Sequence, residues 1–413
     1  MPNTNPSVFR VFLPFAFGYF LSYLFRVVNA VIAPDLVADL NINPSQLGLL
    51  TSTYFIAFAS SQLPLGILLD RFGPRIVESF LLIFAGIGAF IFAKSQTLTG
   101  VIIGRAFIGF GVSACLMAAF KSYVIWFPEK LWPRINGFQM AAGGLGALTA
   151  TTPVEWLLRV TDWRGLFFLL SILSFCIALG VFLVVPEKKS KKNMDSFSSQ
   201  IKGIKQVFKS QSFWRIAPLT TMTQASFIAL QGLWAGPWLR DIAGYQRPEI
   251  AIALSLAAIA MISGFICLGF IAEKLAQKGI SIFHTAVTGM SIFMCIQIFI
   301  SLQIQIAPTF LWMLFSFFGT SGILSYSALS ISFPKALSGR VTTSINLLVF
   351  IAAFILQWAV GAVINLWEVS AAGNYHPSGY KAGFLAILGL QVIGLAWCLF
   401  SGFKKSVLFQ PNK

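Results

Sequence analysis

The chain has 413 residues, of which 57% are hydrophobic and 10% charged, with 42 phenylalanines and a formal net charge of +16. Soluble domains carry roughly 25% charged residues, and so apolar a chain could not cover its own surface with polar groups. The same figures exclude intrinsic disorder, a disulfide-stapled secreted scaffold and a transmembrane β-barrel, whose strands would alternate apolar and polar residues. What remains is an all-α membrane protein with many spans.

Apolar runs of about 20 residues, cut where charge, Pro or Asn interrupts them, give twelve predicted spans. They lie near 10–34, 45–69, 77–94, 99–125, 135–157, 164–186, 213–239, 249–272, 282–302, 308–331, 341–367 and 380–402. The first starts near Phe9 and continues without an A-x-A-like exit, so no cleavable signal peptide is expected. One long polar stretch, Pro186 to Ser212, contains Glu187-Lys188-Lys189-Ser190-Lys191-Lys192. It divides the chain into an N-terminal six-helix bundle (1–186), a cytoplasmic linker (187–212) and a C-terminal six-helix bundle (213–413).

Lys and Arg sit between the apolar blocks, which reads as membrane topology and not as a nucleic-acid surface. With the N-terminus inside, 20 of the 29 basic residues fall in inner segments and 6 in outer ones, while Arg26, Arg105 and Lys121 lie within spans. Both termini are therefore expected in the cytoplasm. The five cysteines fall inside apolar runs at no metal-ligand spacing, and no cofactor or metal is expected. A shift of 203 residues superposes Pro34 on Pro237, Gly66 on Gly269, Asp70 on Glu273, Arg71 on Lys274 and Arg75 on Lys278. The two halves read as a duplicated unit, as is common in transporters.

Between spans 2 and 3 runs Gly66-Ile67-Leu68-Leu69-Asp70-Arg71-Phe72-Gly73-Pro74-Arg75. It resembles the signature loop of the major facilitator superfamily, Gly-x-x-x-Asp-Arg/Lys-x-Gly followed by basic residues, with Pro74 where a second basic residue is usual. Gly104-Arg105-Ala106-Phe107-Ile108-Gly109-Phe110-Gly111 resembles that family's Arg-x-x-x-Gly-x-Gly element, and Asp162-Trp163-Arg164 a frequent outer-loop turn. The resemblance implies two pseudo-symmetric six-helix bundles around a central cavity. It implies a gating role for Gly66, Asp70, Arg71, Gly73, Arg75 and Arg105, with Glu273 and Lys274 as the weaker copy.

In span 1, Tyr19, Ser22, Tyr23, Arg26 and Asn29 are spaced to stack on one helical face. Arg26 falls near the bilayer midplane, where an unpaired cation costs at least about 2.5–3.5 kcal/mol. It must face water or an anion, or else be tied to carbonyls or a carboxylate. Tyr23-Leu24-Phe25-Arg26, then Ala33-Pro34 and Gln46-Leu47-Gly48, is similar to the first span of sugar-phosphate permeases, glycerol-3-phosphate/phosphate antiporters and organic-anion symporters. That similarity implies an anion-binding role for Arg26. Lys121 matches a basic position of the phosphate antiporters, but at the inner end of span 4 it reads as a snorkelling lysine.

The phosphate antiporters' second arginine, in span 7, falls by the repeat on Ala229, and their span 2 lysine is Gln62 here. One cation flanked by Gln62, Gln224, Gln231, Tyr19, Tyr23 and Tyr54 suits a monoanion, a zwitterion or a polar carboxylate. Trp234, one turn beyond Gln231, joins that face. For coupling to H+ or another ion, Asp35 and Glu155 are the acidic candidates near span ends, with Glu155 either protonatable or paired with Arg159. Glu78 is assigned to an inner loop with Asp70 and Glu273.

The expected function is alternating-access transport of a small anionic or zwitterionic solute by a monomer. A bacterial inner membrane fits the minimal loops. A transporter-like sensor and an efflux pump are the alternatives. No nucleotide-binding loop or paired catalytic residues suggest an enzyme.

Overall fold

The computed structural model describes residues 8–128, 131–186, 197–334, 337–370 and 373–401, and every regular element among them is helical. The predicted first span is broken into α1 (Val8–Val27) and α2 (Asn29–Leu40), bent by 47° at Val28. Then α3 (Pro44–Lys94) covers the predicted spans 2 and 3 in one run. It opens on a capping box between Asn43 and Gln46, with Pro44 at its start, and is interrupted at Gly73. Gly73 has φ 79° and ψ 160°, a region that a side chain would strain and glycine tolerates. The signature loop is thus a single-residue break between two helical legs.

Span 4 is α4 (Leu98–Gly111) and α5 (Cys115–Trp126), and span 5 is α6 (Trp132–Thr149) with α7 (Thr152–Leu157). α8 (Trp163–Val184) is capped by Asp162, which accepts from Gly165 N at 2.7 Å. Trp163 Nε1 and Arg164 both donate to Asp39 of α2, at 2.9 and 2.5 Å, so the Asp-Trp-Arg turn pins span 6 to span 1.

The polar run Glu187–Lys192 lies outside the described residues, as do Lys130, Lys335 and both chain ends. The described part of the predicted linker is largely helical. It forms α9 (Phe197–Lys209), whose Val207 is buried against Phe213, Ile216, Leu329 and Val341.

In the second half, α10 (Gln211–Ala229) passes through a π-helical turn at Leu230–Trp234 into α11 (Ala235–Asp241). The remaining helices are α12 (Arg247–Gln277), α13 (Ile282–Ser301), α14 (Pro308–Gly319), α15 (Ile323–Ile331), α16 (Ser338–Ile364) and α17 (Pro377–Phe400). Among the described residues, eight helical runs are long and apolar enough to cross a membrane, or nine with the bent pair α1–α2. The first leg of α3, α6 with α7, and α10 through α11 occupy the predicted ranges of spans 2, 5 and 7.

The two halves meet along α3 with α16 and along α6 with α12. Phe58 and Phe350 pack at 4.3 Å between centroids. Gly48 lies so close to α16 that a Cβ there would come within 3.0 Å of Gln357 O and 3.2 Å of Trp358 Cα. Ser255 of α12 hydrogen-bonds Thr151 and Thr152, both at 2.7 Å. The Gly48 and Ser255 contacts lie toward the side on which α3 and α12 begin, the Arg247 side. Toward the Asp70 side, a Cβ on Gly137 of α6 or Gly269 of α12 would meet nothing within 4 Å. The halves are tied together on the Arg247 side.

Candidate functional site

Between the halves lies a cavity of about 350 Å³, walled by α1, the first leg of α3, the α4–α5 junction and α6 on one side and by α10, the π turn, α12, α15 and α16 on the other. Its lining is mostly aromatic and aliphatic, and Arg26 is the one charged side chain on it among the described residues. The Arg26 guanidinium stands 4.4 Å from the Tyr23 ring centroid, 5.3 Å from Phe350 and 5.8 Å from Phe58. Its Nε has no hydrogen-bond partner, and none of the ion pairs among the described residues involves it. Aromatic faces stabilise a desolvated guanidinium by about 2 kcal/mol or more without using its N–H groups as hydrogen-bond donors.

Tyr19, Tyr23, Gln62, Gln224 and Gln231 also line the cavity. Gln62 Oε1 accepts from Asn346 Nδ2 at 3.1 Å, a bond that crosses between the halves. Gln224 Nε2 is committed to Gly319 O at 2.7 Å. Tyr326 and Asn346 bring further polar groups to the wall from α15 and α16, with the Tyr326 hydroxyl 3.4 Å from Asn346 Oδ1. Both lie in spans that carry several other polar residues, Ser325 and Ser327 beside Tyr326 and Thr343 and Ser344 near Asn346, so no local pattern distinguishes them in the sequence.

Three residues expected on this wall lie elsewhere. Asn29 follows the break at Val28, so it starts a new helical direction and turns away from the Arg26 face; its amide donates to Thr51 Oγ1 at 3.1 Å. Tyr54 is fully buried, donates to Ser22 O at 3.2 Å and lies 4.9 Å beneath the Arg105 guanidinium. Trp234 ends the π turn, whose wider coil rotates it off the face of Gln231, and its indole donates to Gln357 O at 3.0 Å.

The gating group also divides. Gly66 and Asp70 end the first leg of α3, and Asp70 forms an ion pair with Lys121 of α5, so Lys121 is a tie to the signature loop and not a snorkelling chain. Arg71 is exposed beside Phe72, and Arg75 lies over the Phe182 ring at 4.8 Å. Arg105 is far from that loop: it is wholly buried and donates to Phe25 O at 2.7 Å, directly behind Arg26. Glu273 and Lys274 are exposed on the last turns of α12 and make no ion pair among the described residues.

On the Arg247 side the acidic candidates come together. Arg247 of α12 donates to both Asp35 oxygens, at 2.8 and 2.7 Å, and through Nε to Glu155 at 2.8 Å. Glu155 is therefore paired, with Arg247 and not with Arg159. One cation of the second half holds two carboxylates of the first. Glu78 departs furthest from its loop assignment: it is wholly buried and neither oxygen has a hydrogen-bond partner. The signal was Pro74, which suits the first position of a helix and carries the span across Glu78.

Among the described residues the chain is thus helical throughout, in two halves with a polar-flecked cavity between them. The chain belongs to the Major Facilitator Superfamily, whose family model matches residues 15–357. It is similar to the hexuronate transporter of Escherichia coli K12, 22% identical over 57% of this chain and 58% of that one, so the match spans little more than half of that relative. An uncharacterized transporter of Bacillus subtilis is 23% identical over 90% of this chain and 89% of its own. Among solved structures, an inward-facing, occupied bacterial homologue of the lysosomal transporter Spinster superposes with a TM-score of 0.76 at 17% identity, covering 96% and 97% of the two chains. A D-xylose-proton symporter gives 0.73 at 17% identity over 96% and 97%.

Proposed function

We propose that this protein is a secondary carrier for a small organic anion, bound one at a time in the central cavity and moved by alternating access. In this reading both termini are cytoplasmic, the membrane is a bacterial inner membrane, and the monomer works as two bundles (1–186 and 213–413) joined by the linker 187–212. The observation that carries the reading is Arg26, a single unpaired cation facing a cavity with no acidic group on its wall. Ala229 stands where a second arginine would be needed to clamp a dianion, and it is buried. A monocarboxylate with polar substituents suits one guanidinium, with Gln231, Tyr19 and Tyr23 available to its hydroxyls. Relatives whose names specify hexuronate and sulfoacetate agree with an anionic cargo.

The test is a thermal-shift titration of the purified chain with D-glucuronate, sulfoacetate, inorganic phosphate and glucose, repeated on Arg26→Gln. Ligand binding to the native state raises apparent stability as RT ln(1 + [L]/Kd). A charge-assisted hydrogen bond contributes about 1.5–3 kcal/mol, so Arg26→Gln weakens anion binding roughly 10- to 150-fold. Arg26→Lys recovers part of it, because an ammonium cannot repeat the two-pronged contact. Normal anion affinity in a destabilised Arg26→Gln protein would remove Arg26 from the site.

A further inference from the structure

Glu78 sits one turn into the second leg of α3, just past the Gly73 break, with no accessible surface. Neither carboxyl oxygen has a hydrogen-bond partner, and no ion pair among the described residues reaches it. α1 presses on it through Gly18, where a Cβ would run into Glu78 Oε1 and come 3.7 Å from Cys115 Sγ. The groups facing it are few. From α5 come the Cys115 thiol and Tyr123, whose hydroxyl is already given to Gln139 Oε1 at 2.7 Å. From α1 come Gly18 and Tyr19, whose hydroxyl is directed at Met140 Sδ. On its own helix Arg75 lies one turn earlier, over Phe182, and the nearest cavity charge is Arg26, two turns along α1.

A carboxylate stripped of water, with only the weakly donating Cys115 thiol beside it, costs several kcal/mol, whereas the neutral acid costs only what an unmade hydrogen bond does. Burial of Glu78 thus favours the neutral acid over the carboxylate as long as α1 covers it. Glu78 also lies one layer behind the cavity wall, since Tyr19, Ser113 and Leu116, next to its contacts at Gly18 and Cys115, all line the cavity.

We propose that Glu78 is the proton-carrying site of this carrier: its carboxyl releases one H+ to water when α1 draws away from Gly18 contact, becoming a carboxylate, and rebinds one H+ before α1 closes over it again. H+ movement is thereby tied to the movement of α1, which also carries Arg26. Asp35 and Glu155, fixed to Arg247, are left to closure of the opposite side. The proposal rests on the carrier reading above.

The experiment compares wild type with Glu78→Gln, the neutral isostere of the acid, as full-length protein. Melting temperatures are followed from about pH 5 to 9. A buried acid that keeps its proton while the unfolded chain ionises makes the wild type lose stability as pH rises. The two curves should converge at low pH and diverge at high pH, with Glu78→Gln the more stable. Parallel curves overturn the proposal. Should Glu78→Gln fail to insert, Glu78→Met gives the same comparison.

In liposomes, Glu78→Gln should lose accumulation of D-glucuronate driven by a pH gradient, falling to the equilibrium level, while still exchanging labelled for unlabelled glucuronate. Gradient-driven accumulation equal to wild type overturns it. If wild type moves no glucuronate at all, the choice of solute has failed, and the melting curves still decide Glu78.

Discussion

Arg247 offers a direct perturbation of the closed side. Its guanidinium makes three charge-assisted contacts at 2.7–2.8 Å, to Asp35 and Glu155. Charge-assisted bonds inside proteins contribute about 1.5–3 kcal/mol, but Arg247 and Asp35 side chains are 40% and 29% exposed while Glu155 is 8% exposed. Exposure brings ion pairs down to about 0–1 kcal/mol each. A net contribution of about 1–2 kcal/mol to the closed arrangement follows, equivalent to a factor of about 5–30 in an equilibrium. Because no such contact survives once α12 leaves α7, that energy belongs to one conformation only and shifts the populations in full.

Arg247→Gln should therefore move the ensemble toward opening on this side. Nitroxide labels at Val160 and Ile306, which are 82% and 79% exposed on loops of the two halves, report it by pulsed electron resonance in a cysteine-free background. A new population at longer separation is expected in the variant, and restoring a cation with Arg247→Lys should partly reverse it. An unchanged distance distribution in Arg247→Gln would show that apolar packing around Gly48, and not the ion triad, sets the closed state.

Asp70→Asn should cut the transport rate while leaving glucuronate affinity unchanged in the thermal-shift titration, because Asp70 holds Lys121 at the loop and does not line the cavity; lost affinity in a folded variant would contradict this. Gln231→Leu should weaken glucuronate binding by about 1 kcal/mol, roughly fivefold, whereas Trp234→Phe, which loses only the bond to Gln357 O, should lower melting temperature and leave affinity intact. The opposite pattern would put the indole, not the amide, in the site.

The helical membrane class could be read from composition because lipid leaves so few alternatives. Arg26 could be found because a midplane cation is conspicuous against an apolar span. The local breaks were harder. A helical wheel assumes an unbroken coil, and span 1 breaks at Val28 while span 7 widens at Leu230, so Asn29 and Trp234 were each projected onto the wrong face. Arg105 was grouped with the loop by motif, although its side chain satisfies a carbonyl in the core. Glu78 falls at the very edge of the predicted span 77–94, where it reads as part of the inner loop, whereas the one-residue break at Gly73 puts it a full turn inside the helix. Arg247 was placed in an outer loop by charge alone, and its carboxylate partners, Asp35 and Glu155, lie more than 90 residues away in sequence, where no local pattern reaches.

The irregular turns in spans 1 and 7 sit at equivalent places. The 203-residue repeat carries Val28 onto Gln231, in the π turn, and a Cβ on the next residue, Gly232, would come 3.9 Å from Arg26 O across the interface. Where a helix is locally unwound it has fewer regular backbone bonds to resist bending. Each half thus has a compliant joint at the level of the cavity, with stiffer helix above and below. The ceiling of the cavity can flex about these two joints without the floor moving, so a bound solute could be sealed in before either half rotates as a body.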